Sequence, residues 1–447
     1  GELRTSGVES YATDFGRIAS RQPHAVLFPG SIDDIAAVIR FARAHRLHVA
    51  ANGLAGTYDL RESHSSFGQA QVAAGIAIDM SRLGQIFSIT GDTADVGAGA
   101  HWAEVFDAAA PYGAAPPVFT DYVHLSVGGT LSVGGLGGAS HAFGIQADNV
   151  LELEVVTGRG DRVRCSPSHQ RELFDAVLAG AGQCGIIVRA RLRLVPADSH
   201  ARVFQLVYDD LDGFLADQLA LVRDGRFSYV EGQVVRRPDD TGWRFVLEAA
   251  SWFTPPRAPD DGELLLGMHD LRGEAQISTQ GYRDFIFRLD PTVALLKSIG
   301  AWQLPHPWIS LFLPATRAHG YVEELLSTLT LADTGQGPIL VYPFDTARIR
   351  RPLFRVPEAR HAFHVSVLRT ASPPTPDVVA GMLADNRAMY DRAVAAGGVR
   401  YVIGAIPEFT QRDWRRHFGD AWESLVRAKH RFDPDRVLTP GQGMFGR

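Results

Sequence analysis

The sequence predicts an α+β chain of two domains, and three observations lead there. At 447 residues the chain is longer than one ordinary domain. Its periodicity changes near residue 199, from short strands mixed with helices and loops to longer strands and helices. Before that change lies a glycine stretch, residues 119–144, with the pairs Gly128-Gly129, Gly134-Gly135 and Gly137-Gly138 and a further glycine at Gly144. Glycine loses more backbone entropy on folding than any other residue, so this density requires a reason. Leu125, Val127, Leu131, Val133, Leu136 and Phe143 make the stretch too apolar for a solvated linker. The expectation is a packed backbone pressed against a large ligand, with N–H groups turned toward phosphate. It is not a GxGxxG turn after a strand, which argues against an ordinary dinucleotide-binding βαβ unit.

The first domain is assigned to residues 1–198. Residues 25–29 form a short apolar strand, and Ser31 caps the helix that follows, SIDDIAAVIRFARAH. Asp33 and Asp34 sit in its first turn, and Ile35, Val38, Ile39 and Ala42 share one face. Residues 47–51 return as a strand, a loop of small and polar residues follows, and strands are expected over 76–80 and 94–99. A helix over about 101–110 leads into the glycine stretch. Strands over 151–157 and 161–165 flank Gly158-Arg159-Gly160, a hairpin signal, and 171–178 is helical. In VRARLRLV, Val188, Ala190, Leu192 and Leu194 alternate with Arg189, Arg191 and Arg193, the pattern of a half-buried strand that Pro196 ends.

The second domain is assigned to residues 199–409. Strands are expected over 203–208, 227–235, 243–250, 308–313, 338–342 and 363–368, with helices over 211–223, 318–331 and 376–396. An antiparallel sheet with helices on one face fits that order. The polar, proline-bearing span 254–273 reads as a loop. A last helix over 411–430 and an extended, packed tail close the chain.

Composition excludes several function classes. The apolar fraction of 45% and charged fraction of 21% are those of a soluble globular enzyme. A net charge of −6 gives no general nucleic-acid surface. No apolar run reaches the length of a membrane span. Cys165 and Cys184 are the only cysteines, too few for a cysteine-ligated metal, and no metal site is expected. Of 44 basic residues only Lys297 and Lys429 are lysines, a composition that suggests a GC-rich bacterium and, with it, a cytoplasmic location. The opening GELRTSGVES carries no methionine and no signal-peptide pattern, so a trimmed start is expected. Oligomeric state is not readable.

Several segments together resemble the cytokinin dehydrogenases, flavoenzymes of the vanillyl-alcohol-oxidase, or PCMH-type, superfamily. They are TDYVHLSVGGTLSVGG from Thr120, NVLELEVVTGRG from Asn149, LFDAVLAGAGQCGIIVRARLRLVPA from Leu173, SYVEG from Ser228, HPWISLFLP from His306 and FDPDRVLTPGQGMF from Phe432. The resemblance implies a PCMH-type FAD-binding domain, an inserted antiparallel-sheet substrate domain, and a segment 410–447 that rejoins the first domain. SHSSFGQAQ matches the family's flavin-attachment motif and nominates His64 as a covalent flavin ligand, with Ser65, Gly68, Gln69 and Ala70 beside it. Ser63 stands where the family has glycine, and the loop over 52–63 is several residues longer than the family's. The same resemblance places Thr120, Asp121, Gly128, Gly129, Ser132, Gly134 and Gly138 against the flavin, with Ile186, Ile187 and Gln442 completing the cofactor set.

Oxidising a secondary amine by hydride transfer to flavin requires a neutral nitrogen, its carbon placed against the flavin, and water for the resulting imine. A carboxylate beside the amine meets the first need by accepting its hydrogen. Asp121 matches the family residue in that role; on residue type alone a turn or cap aspartate weighs equally. Glu231 lies on a strand face with Phe227, Tyr229 and Gln233, and by resemblance holds the substrate's purine through a ring N–H. Trp308, Ile309 and Leu368 would line the pocket for the isoprenoid side chain, with Ser310 where the family often has asparagine. The resemblance implies cleavage of an N6-isoprenoid adenine to adenine and an unsaturated aldehyde, with electrons passed to a quinone-type acceptor or to oxygen. Two alternatives stand beside it: another flavin oxidase of the same fold acting on an alcohol, sugar or different amine, and a purine-binding protein without flavin.

Overall fold

The computed structural model describes residues 1–57, 61–237, 242–335 and 337–446. Its first helix, Ile32–His45, begins at Ser31, whose hydroxyl accepts the Asp34 N–H while Asp34 reaches back to the Ser31 N–H. Ile35, Val38, Ile39 and Ala42 are buried, as their spacing requires. A small sheet holds Glu2–Arg4, Ala25–Phe28, Ile76–Asp79 and Val49–Asn52 in that spatial order, and its last three strands are parallel. A second sheet is antiparallel throughout, in the order Ile86–Ile89, Thr93–Gly97, Gly185–Arg193, Val150–Thr157 and Arg162–Cys165. The alternation in Gly185–Arg193 is realised: Val188, Ala190 and Leu192 are buried, and Arg189 forks onto Asp95 at 2.6 Å. Cys165 and Cys184 are buried free thiols, each pushed up to about 12 by burial.

The glycine stretch folds into a helix, Val127–Val133, and a short turn of helix, Ser140–Phe143. This corrects the expectation of N–H groups held ready for phosphate. The N–H of Gly128 donates to Ala98 O, that of Gly129 to Ser126 Oγ, that of Gly134 to Thr130 O, that of Gly135 to Tyr401 Oη and that of Gly137 to Ser140 Oγ. Part of the density has a packing cause. A Cβ on Gly137 would lie 1.9 Å from Phe119 O, and one on Gly138 would lie 2.5 Å from the Tyr229 ring.

Between Ala197 and the tail, eight strands form one antiparallel sheet in the spatial order Gln276–Gly281, His200–Tyr208, Trp243–Phe253, Tyr229–Arg236, Ile339–Asp345, His361–Val367, Ile309–Pro314 and Val399–Arg400. The helices Leu211–Asp224, Ala315–Thr328 and Pro376–Ala395 supply Phe214, Leu221, Val322, Leu325 and Met389 to a core they share with Val230, Val341, Val365 and Ile309 of the sheet. Phe227 also packs in that core, edge-on to Phe204, and so departs from the polar face it was expected to share with Glu231. The span 254–273 contains a short α-helix, Asp261–Leu264, and ends in a 3-10 turn, Arg272–Glu274; beyond it come two further helices, Tyr282–Ile286 and Asp290–Ser298, that no periodicity announced.

The single last helix expected over 411–430 is two helices, Gln411–Phe418 and Trp422–Phe432, parted at Gly419 with φ +52°. The tail then lies beside Val49, whose N–H donates to Val437 O and whose O accepts the Thr439 N–H. A buried ion pair fixes the turn before it: Lys429 Nζ meets Asp433 Oδ2 at 2.7 Å, and Asp433 also accepts the N–H groups of Val437 and Leu438.

Candidate functional site

One cavity of about 660 Å³ lies between the glycine-stretch helix and the face of the large sheet that its helices leave uncovered. Its wall contains His64, Ser65, Gln69, Thr120, Asp121, Gly128, Gly129, Ser132, Ile186, Ile187 and Gln442 on one side. Glu231, Trp308, Ser310 and Leu368 stand on the other. Four expected residues lie outside it: Gly68, whose N–H donates to Asp14 and whose carbonyl accepts from Arg21, and three others. Gly134 abuts Phe354, Gly138 abuts Tyr229, and Ile309 points to the opposite face of its strand, into the helix-covered core.

His64 is held by backbone pairing and by rings. The N–H groups of Phe15 and Gly16 donate to the carbonyls of Ser63 and Ser65, and Phe15 stacks on His64 with centroids 4.2 Å apart. His306 of the HPW segment stacks on the Phe15 ring as well, at 4.1 Å and 2°. Burial lowers the His64 pKa to about 3, so the ring is neutral, and its buried Nδ1 has no hydrogen-bond partner among the described residues. The chain after His64 is tied down by Asp14, which accepts the Ser65 hydroxyl at 2.6 Å and the Gly68 N–H at 2.7 Å. Gln69 spends its amide on the protein: Oε1 accepts from Ser66 and Phe67, and Nε2 donates to Ile403 O and Gly404 O. Residues 58–60 of the unusual loop lie outside the described residues.

Across the cavity, Asp121 and Glu231 are joined through two side chains that sequence reasoning did not assign. Tyr229 Oη lies 2.9 Å from Asp121 Oδ1 and also hydrogen-bonds Glu231 Oε2. Arg288 Nη2 donates to Asp121 Oδ1 at 3.0 Å and to Tyr229 Oη. Arg288 Nε pairs with Glu248 Oε2 at 3.2 Å, and Gln205 donates to Glu248 Oε1 at 3.1 Å. Burial, with Asp121 next in effect, pushes the Glu231 pKa well above the carboxylate range; burial also raises Glu248. One phenol proton cannot serve both carboxyl groups. With Glu231 protonated, Glu231 donates to Tyr229 Oη and Tyr229 donates to Asp121.

Glu248 carried a signal, a lone charge inside the apolar run FVLEAAS. Tyr229 carried a weaker one, on the same strand face as Glu231. Arg288 carried none, because it sits just past a one-turn helix whose position depends on packing of Phe285 under Tyr229 and Trp252.

The comparisons with known proteins agree with this architecture. Residues 23–166 match the family model described as FAD binding domain, and residues 262–445 match the one described as Cytokinin dehydrogenase 1, FAD and cytokinin binding. The chain is 40% identical to an uncharacterized oxidoreductase, ORF5 in the fasciation locus of Rhodococcoides fascians, over 97% of this chain and 96% of that one. It is 33% identical to cytokinin dehydrogenase 4 of Oryza sativa subsp. japonica over 100% of this chain and 91% of that one. Cytokinin dehydrogenase 1 of Arabidopsis thaliana is 31% identical, over 100% of this chain and 82% of that one. The chain belongs to the cytokinin dehydrogenase family. It is therefore an oxidoreductase with a PCMH-type FAD-binding domain and a cytokinin-binding domain, and its cofactor is FAD.

The residues present fit that cofactor. His64 Nδ1, Asn52 Oδ1 and Trp308 Nε1 are buried in the cavity wall without partners among the described residues, an unstable arrangement unless a ligand supplies them. A Cβ on Gly129 would meet only Ser126 Oγ, at 2.8 Å, so this part of the wall is backbone that a ligand can approach closely.

Proposed function

We propose that the protein cleaves N6-isoprenoid adenines oxidatively, giving adenine and an unsaturated aldehyde. The observation that carries this reading is the pairing of Asp121 with a buried, protonated Glu231 on the wall of one cavity, through Tyr229 and Arg288. FAD, when bound, supplies the acceptor for the hydride leaving the carbon next to the amine nitrogen. His64, Ser65, Thr120, Gly129 and Ser132 would hold it, with Ile186 and Gln442, and the unpartnered Nδ1 supports a covalent bond through His64.

Asp121 accepts the hydrogen of the substrate's N6–H, which keeps electron density on nitrogen as the carbon–hydrogen bond breaks. Arg288 and Tyr229 fix the Asp121 carboxyl by two donated hydrogen bonds, so it needs no reorganisation at that moment. Glu231 anchors the purine. Trp308 and Leu368 give the isoprenoid chain an apolar wall that excludes bulk water. The substrate loses two electrons and two protons to become an imine. Water then adds to the imine carbon, and the C–N bond breaks with adenine as the leaving amine. The two electrons pass to a quinone-type acceptor or to oxygen.

The test is anaerobic titration of the purified yellow protein with N6-isopentenyladenine, followed at the oxidised-flavin absorbance. Bleaching with release of adenine is the expected result. A yellow protein that stays oxidised would overturn the reading in favour of another substrate for the same fold. Acid precipitation tests the attachment: flavin should pellet with the wild type and remain in the supernatant with His64→Ala.

A further inference from the structure

The cavity contains a buried polar side chain that the proposed reaction does not use. His364 lies on His361–Val367 and lines the cavity, and neither its Nδ1 nor its Nε2 has a partner among the described residues. A buried imidazole with both nitrogens idle is costly to a fold, so its retention points to a ligand group that completes it. Burial lowers its pKa to about 3, so it offers one N–H donor and one lone pair and no charge.

Its place in the sheet says which part of a ligand it meets. Strand register sets Tyr342, His364 and Phe312 side by side, and Leu340, Ser366 and Ser310 in the next row. Counting across the sheet from the strand of Glu231, the strand of Tyr342 comes first and that of His364 second, so His364 stands about 10 Å from Glu231, two strand spacings away. That is the direction of Ser310 and Trp308, the side-chain end of a substrate whose purine is at Glu231. Ser366 donates to Ile309 O at 3.1 Å and lies 2.6 Å from Ser310 Oγ, which occupies both hydroxyl protons and leaves the pair as acceptors. Beside the indole N–H of Trp308, His364 is the unpartnered donor at this end among the described residues. The Phe312, Tyr342 and Tyr401 rings, with centroids 5.5, 5.0 and 6.2 Å away, surround it with a medium suited to a neutral group and not to an ion.

We propose that His364 is a specificity residue that hydrogen-bonds a hydroxyl on the isoprenoid side chain, so that this chain prefers hydroxylated over plain isopentenyl side chains. The proposal rests on the cytokinin-cleaving reading above.

The test compares N6-isopentenyladenine with trans-zeatin, which adds one hydroxyl, on wild-type holoenzyme and on His364→Ala and His364→Gln. Kd and the rate of flavin reduction are measured anaerobically. The wild type should bind trans-zeatin about three- to tenfold more tightly, the worth of one neutral hydrogen bond. His364→Ala should bring that ratio to about one whatever it does to both compounds alike, and His364→Gln should keep part of the preference. An unchanged ratio in His364→Ala would overturn the proposal, as would loss of flavin from that variant with the ratio intact, since His364 would then serve the cofactor. If neither compound bleaches the wild type, the cleavage reading itself fails and takes the proposal with it. Bleaching by both with no effect of His364 leaves that reading standing and removes only the proposal.

Discussion

At the scale of single residues, the site depends on one cation shared among three carboxyl groups. Asp121, Glu231 and Glu248 all lie within ion-pair distance of Arg288, whose guanidinium also lies over the Tyr229 and Phe285 rings. Asp121→Asn keeps the shape and removes the negative charge that makes the oxygen basic. It should slow flavin reduction by isopentenyladenine about 10²- to 10⁴-fold, with far less change in Kd, in stopped-flow absorbance. Arg288→Gln has a different signature. Removing one partner of a buried ionic cluster costs about 3–5 kcal/mol, because the remaining charges are left uncompensated. Burial already raises the pKa values of Glu231 and Glu248, and without the cation these two acids hold their protons still more tightly in the folded state than in the unfolded chain. Stability then falls as pH rises, so the deficit of Arg288→Gln against wild type should shrink on acidification toward the ordinary carboxylate range. Denaturant unfolding at a series of pH values checks this; a deficit independent of pH would mean that Arg288 acts by packing alone.

At the scale of elements, the turn bearing His64 shows what a sequence can and cannot announce. Burial raises the Asp14 pKa to about 6, against the bonds from Ser65 and Gly68 that lower it. Its folded value exceeds its unfolded one, so its contribution is fully present below the unfolded value and is lost as pH rises from about 4 to about 6. The loss amounts to at most about 3 kcal/mol. Asp14→Asn should flatten that part of the stability profile, measured by urea unfolding between those pH values. Asp14→Ala should instead loosen the Ser65–Gly68 backbone and lower the flavin retained per mole of protein. GQAQ made His64 legible. Asp14 was not, since it is fifty residues away in sequence and acts only through tertiary contact. The same division holds elsewhere. The helix at Ser31 and the alternating strand before Pro196 could be read because cap and period are local. The glycine stretch was only partly legible, because glycine reports that something is close and does not say what: Gly128 and Gly129 do line the cavity, while Gly137 and Gly138 are packed against protein. The break at Gly419 was missed because arginine and tryptophan continue across it in helical spacing.

At the scale of the whole molecule, the chain closes the cofactor cavity with residues from both ends of the sequence. Ala51 and Asn52 enter its wall from the first sheet, and Thr439 and Gln442 from the tail. Alternation placed Glu231 on a strand face with Tyr229 and Gln233, while Trp308 came from the HPW resemblance, which also nominated Ile309 on the opposite face. Where the tail returns was likewise visible only through resemblance, because FDPDRVLTPGQGMF has no periodicity of its own. Its position rests on Asp433, fully buried and joined to Lys429 Nζ and to two backbone N–H groups, while Lys429 also donates to Gln183 O at 2.8 Å. The two partners are therefore unequal. Lys429→Met leaves Asp433 two donors; Asp433→Ala leaves a buried ammonium and two unpaired N–H groups. Asp433→Ala should cost more, about 3–5 kcal/mol, and Lys429→Met less. Because Val437–Thr439 is paired with Val49, the strand that leads to Asn52, the damage should reach the cavity. Flavin fluorescence on heating should then appear at a lower temperature in Asp433→Ala than in Lys429→Met, ahead of unfolding of the large sheet. Simultaneous exposure of the flavin and unfolding of the sheet, or the reverse order of the two variants, would show that the tail does not govern closure of the site.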